Sequence, residues 1–181
     1  MDKFFRMWGR QYKIEFNIAV SYLPGTGWAN VLHMTTGYNC CAQGNWIPGI
    51  WIENTKNFYF STSINDNHNY DFRYGFQVGQ YYHIEVAQVE DNIDNRKVQF
   101  SIKIDGVIVH QITSSDNHGP GKYPEVILYL SHPWSESFEN LGELSNLTIS
   151  NLDYWEEVLK SFNGFDFMPN ISCTVTTSLV E

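Results

Sequence analysis

The stretch VQFSIKIDGVIVH, residues 98–110, decides the fold class. Apolar and polar residues alternate strictly from residue 98 to residue 104, which is the period of a strand with one buried face. Asp105-Gly106 then supplies the residue pair typical of a two-residue hairpin turn, and an apolar run follows it. The stretch therefore predicts two antiparallel strands joined by a tight turn.

The same strand period recurs on both sides of this hairpin, for example at residues 14–20. Clusters of Gly, Pro, Asn and Asp separate the runs, so the sequence predicts roughly ten short strands. This pattern indicates an all-β fold, an antiparallel two-sheet jelly-roll sandwich, over residues 12–151.

The two ends of the chain differ from this pattern. Residues 1–11 are expected to be a lead-in to the domain, and residues 152–181 a C-terminal helix and tail. Trp155, Val158, Leu159 and Phe162 recur at helical spacing, which predicts a short amphipathic helix over 153–162. The tail is expected to be strand-like from Cys173 to Val180.

Composition excludes several classes of function. The net charge is −9 without a basic run, which argues against nucleic acid as a partner because phosphate neutralisation dominates such binding. No stretch approaches the ~20 apolar residues of a membrane helix, so no membrane insertion is expected. Aromatic residues make up 16% of the chain, enough to fill a core and to leave rings for stacking on a flat ligand.

The chain has three cysteines, so at least one lies outside any intramolecular bridge. We expect Cys173 to form a disulfide with Cys41 or with its neighbour Cys40, which would fix the tail to the domain in an oxidising compartment. The odd cysteine could link the chain into an oligomer. Asn146 and Asn170 begin glycosylation sequons, which fit a secreted chain.

Residues 80–86 (QYYHIEV), the hairpin at 98–109 and the run GELSNLTI at 142–149 together resemble the centre and closing strand of laminin G-like and pentraxin-like modules. Tyr82 stands where those modules more usually have Trp. The resemblance implies a jelly roll of the concanavalin A-like kind in a secreted or extracellular protein, with calcium at one rim of the sandwich. The segments 27–51 and 131–134 also resemble a module of extracellular mosaic proteins from marine invertebrates.

The turn at residues 64–71 is dense in oxygen ligands of the kind that calcium prefers. Asp66, Asn67 and Asp71 are the candidate metal ligands, and calcium is the only cofactor expected. The alternative is that Asn and Asp occur here simply as good turn formers.

Trp46 and Trp134 lie in loops beside Gly, Pro or Ser, where a ring can stand free to stack on a sugar. The alternative is that each ring closes one end of the sandwich; Trp51 is assigned to the core. We place the ligand site on loops at one end of the sandwich, formed by Trp46, Asp66, Asn67, His68 and Trp134.

The function predicted from these features is an extracellular module that binds glycan or a protein partner, with calcium assisting. The carboxylate arrangement of concanavalin A-like glucanases is missing, so no enzyme activity and no catalytic residue is predicted. Two alternatives stay open: a glycan-cleaving enzyme on the same scaffold, and a structural adhesion or assembly unit without a small ligand.

Overall fold

The computed structural model describes residues 2–25, 27–39, 42–115, 122–131, 134–153 and 171–173. Strands form nearly all of its regular structure, with one 3₁₀ turn at Phe138–Asn140. The strands are β1 Asp2–Trp8, β2 Tyr12–Val20, β3 Trp28–Thr35, β4 Gly49–Glu53, β5 Asn57–Ile64, β6 Asn67–Gly75, β7 Tyr81–Glu90, β8 Val98–Ile104, β9 Val107–Thr113, β10 Tyr123–Leu130, β11 Glu136–Ser137, β12 Gly142–Asn151 and β13 Ile171–Cys173.

These strands form two packed sheets. Sheet I has the order β1-β10-β3-β4-β5-β6, with β11 paired to β3, and sheet II has the order β13-β12-β2-β7-β8-β9. The pairs β11–β3 and β12–β13 are parallel, and the other pairs described are antiparallel. The predicted all-β, two-sheet jelly-roll sandwich is confirmed.

The core lies between the sheets because one face of each strand is apolar. Phe16 and Phe100 of sheet II are at most 1% exposed, as are Phe58 and Phe60 of sheet I. Phe58 meets Tyr82 of the opposite sheet edge to face, with ring centroids 5.4 Å apart. Each fully buried apolar side chain of this kind contributes about 1.5–3 kcal/mol, so the two inner faces hold the sheets together.

The hairpin at residues 98–113 has the predicted form. Asp105 and Gly106 have φ of 52° and 79°, which a two-residue turn with both central residues left-handed requires. Asn65 and Asp66 form a similar turn with φ of 56° and 59°. This second turn is shorter than the polar loop expected there, because β6 already begins at Asn67.

The N-terminal segment differs from its prediction. Residues 2–8 are not a lead-in but form β1, which pairs with β10 at one edge of sheet I. Trp8 is 1% exposed and packs on Tyr12, with ring centroids 5.3 Å apart. Burial of Trp8 and Phe5 makes this segment part of the domain.

At the C-terminus, the predicted helix over 153–162 lies outside the described residues except for Asp153. Strand β13 places the backbone of Cys173 beside Leu147 of β12. Cys40 and Cys41 lie outside the described residues, so the disulfide to Cys173 stays a prediction. Within the described ranges, no helix has the length and apolar character needed to cross a membrane.

The outer face of sheet II is charged. Lys13 and Lys103 both reach Glu85, with N–O distances of 3.3 and 2.7 Å, and Lys13 also pairs with Glu15 at 2.9 Å. Ion pairs on a solvent-exposed face contribute little to stability, about 0–1 kcal/mol each. This face is therefore a charged surface in contact with water.

Candidate binding cavity

The outer face of sheet I is aromatic at its centre. Trp51 of β4 pairs across the sheet with Tyr59 of β5, and both alternate with core residues. Side chains at successive positions of a strand point to opposite faces, so Trp51 and Tyr59 stand on the side of sheet I away from the core. Residues 50–52 of β4 and 58–60 of β5 are thus apolar on both faces.

Two loops cover this face and enclose an open cavity of about 470 Å³. The β3–β4 loop contributes Asn39 and Trp46, and the segment after β10 contributes Trp134 and Ser135. The cavity is lined by Trp28, Asn39, Trp46, Trp51, Tyr59, Trp134 and Ser135.

The rings of the cavity meet edge to face. Ring centroids are 5.3 Å apart for Trp46 and Trp51, 5.8 Å for Trp51 and Tyr59, and 4.7 Å for Trp28 and Tyr59. These spacings are the ones aromatic pairs prefer, because the positive edge of one ring meets the negative face of the next. The rings therefore support one another in fixed orientations.

His33 of β3 connects the two loops to the sheet. Its Nε2 lies 2.6 Å from the carbonyl oxygen of Asn45 in the first loop, and because a carbonyl only accepts, this nitrogen carries the proton. Its ring packs against Trp51 and against Trp134 of the second loop, at centroid distances of 5.3 and 5.1 Å. Burial lowers the pKa of His33 to about 4, so the ring is neutral at pH 7.

Backbone contacts hold the β3–β4 loop against the sheet. Met34 N–H donates to the Pro48 carbonyl at 2.9 Å, and Ile47 N–H donates to the Met34 carbonyl at 3.0 Å. The Trp46 indole N–H donates to the Asn39 carbonyl at 2.6 Å. Because its only polar atom is used within the loop, Trp46 offers the cavity an apolar ring.

Gly49 determines how closely Trp51 approaches the sheet. A Cβ atom at residue 49 would lie 2.1 Å from Cη2 of Trp51, far inside van der Waals contact. Residues 49 and 51 point to the same side of β4, so the indole lies over the glycine.

A charged group borders the cavity beside Tyr59. The Arg73 guanidinium lies 4.6 Å from the Tyr59 ring centroid, in cation–π range. Its Nε donates to Glu53 at 3.1 Å and its Nη1 to Asp71 at 2.5 Å. Burial, with a further contribution from the Asp71 charge, raises the pKa of Tyr59, so its hydroxyl stays protonated at neutral pH.

The structure brings together Trp46 and Trp134, two of the five residues predicted for the ligand site. Asp66, Asn67 and His68 lie at the β5–β6 turn and do not line the cavity. The turn begins after Ile64, five strand residues from Tyr59, a separation of about 17 Å. The cavity lies on a sheet face rather than at the end of the sandwich where the loops were expected to meet.

The predicted metal ligands are also separated. Asn67 Oδ1 accepts from the backbone N–H of Asn69 at 3.0 Å, whereas Asp71 lies four strand residues away and pairs with Arg73. That spacing is about 13 Å, and ligands of one calcium ion must lie within a few ångströms of each other, so Asp71 does not share a site with Asp66 and Asn67. Among the described residues, no group of three or more His, Cys, Asp and Glu side chains is placed to hold a metal.

Sequence reasoning missed Trp28, Asn39, Tyr59 and Ser135 and assigned Trp51 to the core. Trp51 is only 7% exposed, but what buries it is the loops, not the opposite sheet. One signal was present: IWI at 50–52 and FYF at 58–60 are apolar on both faces. Such a run indicates a strand covered on both sides.

No protein-family model and no curated protein matches the chain. Among solved structures, the chain is similar to the native heptameric SAP-like pentraxin from Limulus polyphemus, with 12% identity and a TM-score of 0.50. The match covers 83% of this chain and 69% of the pentraxin.

Two weaker likenesses span less of the matched proteins. The receptor binding domain of botulinum neurotoxin D has a TM-score of 0.47 at 10% identity, covering 80% of this chain and 33% of the toxin domain. Alginate lyase from Alteromonas sp. 272 has a TM-score of 0.41 at 11% identity, covering 65% of this chain and 50% of the lyase. The pentraxin match supports the jelly-roll fold, and a laminin G-like assignment finds no support in a family model.

Proposed function

We propose that the chain is a glycan-binding module of a secreted or extracellular protein, and that a sugar ring binds in the tryptophan-lined cavity. One observation carries the proposal: four of the six tryptophans of the chain line a single cavity on a sheet face that is not part of the core. Trp28 and Trp134 are 38% and 40% exposed there, and exposed aromatic surface of this kind marks a binding site.

The chemistry of the lining suits a sugar. A pyranose has a face of C–H bonds, which packs on an indole, and a rim of hydroxyls, which need donors and acceptors. Asn39 and Ser135 supply polar groups among the rings. A mostly aromatic cavity of about 470 Å³ with a few polar groups is typical of small-ligand sites.

The lining favours binding over cleavage. It contains no carboxylate, histidine or lysine among the described residues, whereas glycoside hydrolysis needs two carboxylates on either side of the bond. Two acidic groups that border the cavity beside Tyr59, Glu53 and Asp71, are both engaged by Arg73.

The test is a glycan array followed by titration with the best ligand. Trp51→Ala and Trp134→Ala should each weaken binding about tenfold or more, because each removes a stacking surface. Tyr22→Ala is the matched control, since Tyr22 is 68% exposed and does not line the cavity.

Two results would contradict the proposal. The first is full affinity in both tryptophan variants while circular dichroism and melting temperature show them folded. The second is turnover in a polysaccharide-cleavage screen that is abolished by changing one carboxylate, which would make the chain an enzyme.

A further inference from the structure

Asn30 lies next to two tryptophans of the cavity, although it is not itself part of the lining. Its neighbours on β3, Ala29 and Val31, belong to the core, so the Asn30 side chain points to the outer face of sheet I. Its cross-strand partner is Trp51, and Trp28 lies two residues before it on the same face. Both tryptophans line the cavity.

The amide of Asn30 is buried and unpaired. The residue is 1% exposed, and neither Oδ1 nor Nδ2 has a hydrogen-bond partner in the described part of the chain. A buried polar group without a partner costs about 1–3 kcal/mol. An apolar residue at this position would avoid that cost, so the amide calls for a functional explanation.

The charged group that borders the cavity at Tyr59 is negative on balance. Glu53 and Asp71 flank one guanidinium, that of Arg73, so this group carries one net negative charge beside Tyr59. Glu53 is 7% exposed, which weakens the screening of its charge by water. The cavity lining itself holds no cation among the described residues.

We propose that the cavity selects uncharged sugars, and that the Asn30 amide hydrogen-bonds a ligand hydroxyl through a bridging water. This inference rests on the glycan-binding function proposed above. An amide offers both a donor and an acceptor, as a hydroxyl does, so the pair is well matched. A carboxylate or sulfate on the ligand would face the net negative charge of Glu53, Arg73 and Asp71 beside Tyr59, and the described lining has no cation to offset it.

The first experiment replaces Asn30 with Leu, whose side chain has the same branched arrangement of four heavy atoms but no polar atoms. The expected result is about a tenfold loss of affinity for the neutral glycan with a melting temperature unchanged or raised, since the unpaired amide is gone. A purely structural role for Asn30 predicts the opposite: a lower melting temperature and full affinity.

The second experiment does not depend on how Asn30→Leu folds. A neutral hexose oligosaccharide and its uronic acid counterpart are titrated into the native protein and into Asp71→Asn. The native protein should prefer the neutral sugar about tenfold or more, and Asp71→Asn should narrow that preference. A native preference for the acidic sugar would overturn the inference.

The outcomes separate the two proposals. In one outcome, Trp51→Ala weakens sugar binding, Asn30→Leu leaves the affinity unchanged, and the neutral and acidic sugars bind equally well. This outcome contradicts the inference and leaves the proposed glycan site intact. Absence of binding to any sugar contradicts the glycan site, and the inference with it.

Discussion

The indole of Trp46 meets that of Trp51 at an interplanar angle of 62°, with ring centroids 5.3 Å apart. One ring belongs to a loop and the other to a strand, so the contact joins the wall of the cavity to its floor. The shape of the cavity therefore depends on how the loop packs on sheet I. Substitutions that move Trp51 should affect binding even when they touch no ligand.

Gly49→Ala is such a substitution. The added methyl group would lie 2.1 Å from the present position of the indole, so Trp51 must shift. We expect a loss of about 1–3 kcal/mol in unfolding free energy, the usual cost of overpacking, and weaker glycan binding. Denaturant unfolding and glycan titration measure the two effects.

Gly75→Ala is the matched control for Gly49→Ala. A Cβ at residue 75 would meet only Asn57 Oδ1, at 3.8 Å, which is ordinary contact. Equal affinities for the two alanine variants would show that the glycine under Trp51 does not shape the site.

We expect the unfolding free energy to depend on pH because of His33. Its pKa is about 4 when folded, because of burial, against 6.5 for an unburied histidine. The unfolded chain therefore binds more protons between these two values, and stability should fall as pH drops from about 6.5 to about 4, by up to about 3 kcal/mol. Below about 4 this contribution is already lost.

His33→Gln isolates the contribution of His33, because Gln can still donate to Asn45 but does not titrate. Melting temperatures of the variant should decline less steeply than those of the native protein across that pH window. The other titrating groups are the same in both proteins, so their contributions cancel in the difference. If the melting temperatures of the two proteins fell equally with pH, His33 would not be the source of the pH dependence.

Calcium binding at the β5–β6 turn stays a prediction, with Asp66 and Asn67 as ligands and without Asp71. If calcium binds there, a chelator should lower the melting temperature of the native protein but not that of Asp66→Asn. Asp91→Asn, in another turn, serves as the control. No effect of chelation on melting or on glycan affinity would rule calcium out.

The bridge from Cys173 to Cys41 or Cys40 also stays a prediction. Thiol titration of the unreduced, denatured chain should find one free thiol, and reduction should release the other two. In the chain-entropy model, a bridge closing so long a loop contributes about 4–5 kcal/mol, so reduction should lower the melting temperature clearly. Three free thiols before reduction would disprove it.

The strands were predictable because their signals are local. The hairpin around Asp105-Gly106 combines strict alternation with a turn that needs two left-handed residues, and both can be recognised within thirteen residues of sequence. Strand β1 was missed because its pairing with β10 joins residues more than a hundred positions apart. No local pattern carries that information.

The cavity was predictable only in part, for a related reason. Trp46 and Trp134 were identified because they lie in loops. Their partner rings lie on strands, where an aromatic residue normally indicates a core position. Whether a loop folds over the outer face of a sheet depends on contacts such as that of His33 with Asn45. The polar residues around Asp66 also suit the left-handed turn of Asn65 and Asp66, so composition alone does not distinguish a turn from a ligand site.

The unequal outer faces of the two sheets give the module a front and a back. Lys13 and Lys103 stand on the charged back, among their ion pairs with Glu85, while the tryptophans occupy the front. Immobilisation through those two amines would leave the cavities directed away from the support. On a dense layer of ligand, such oriented modules could engage together, and their combined avidity would then exceed the affinity of any single cavity.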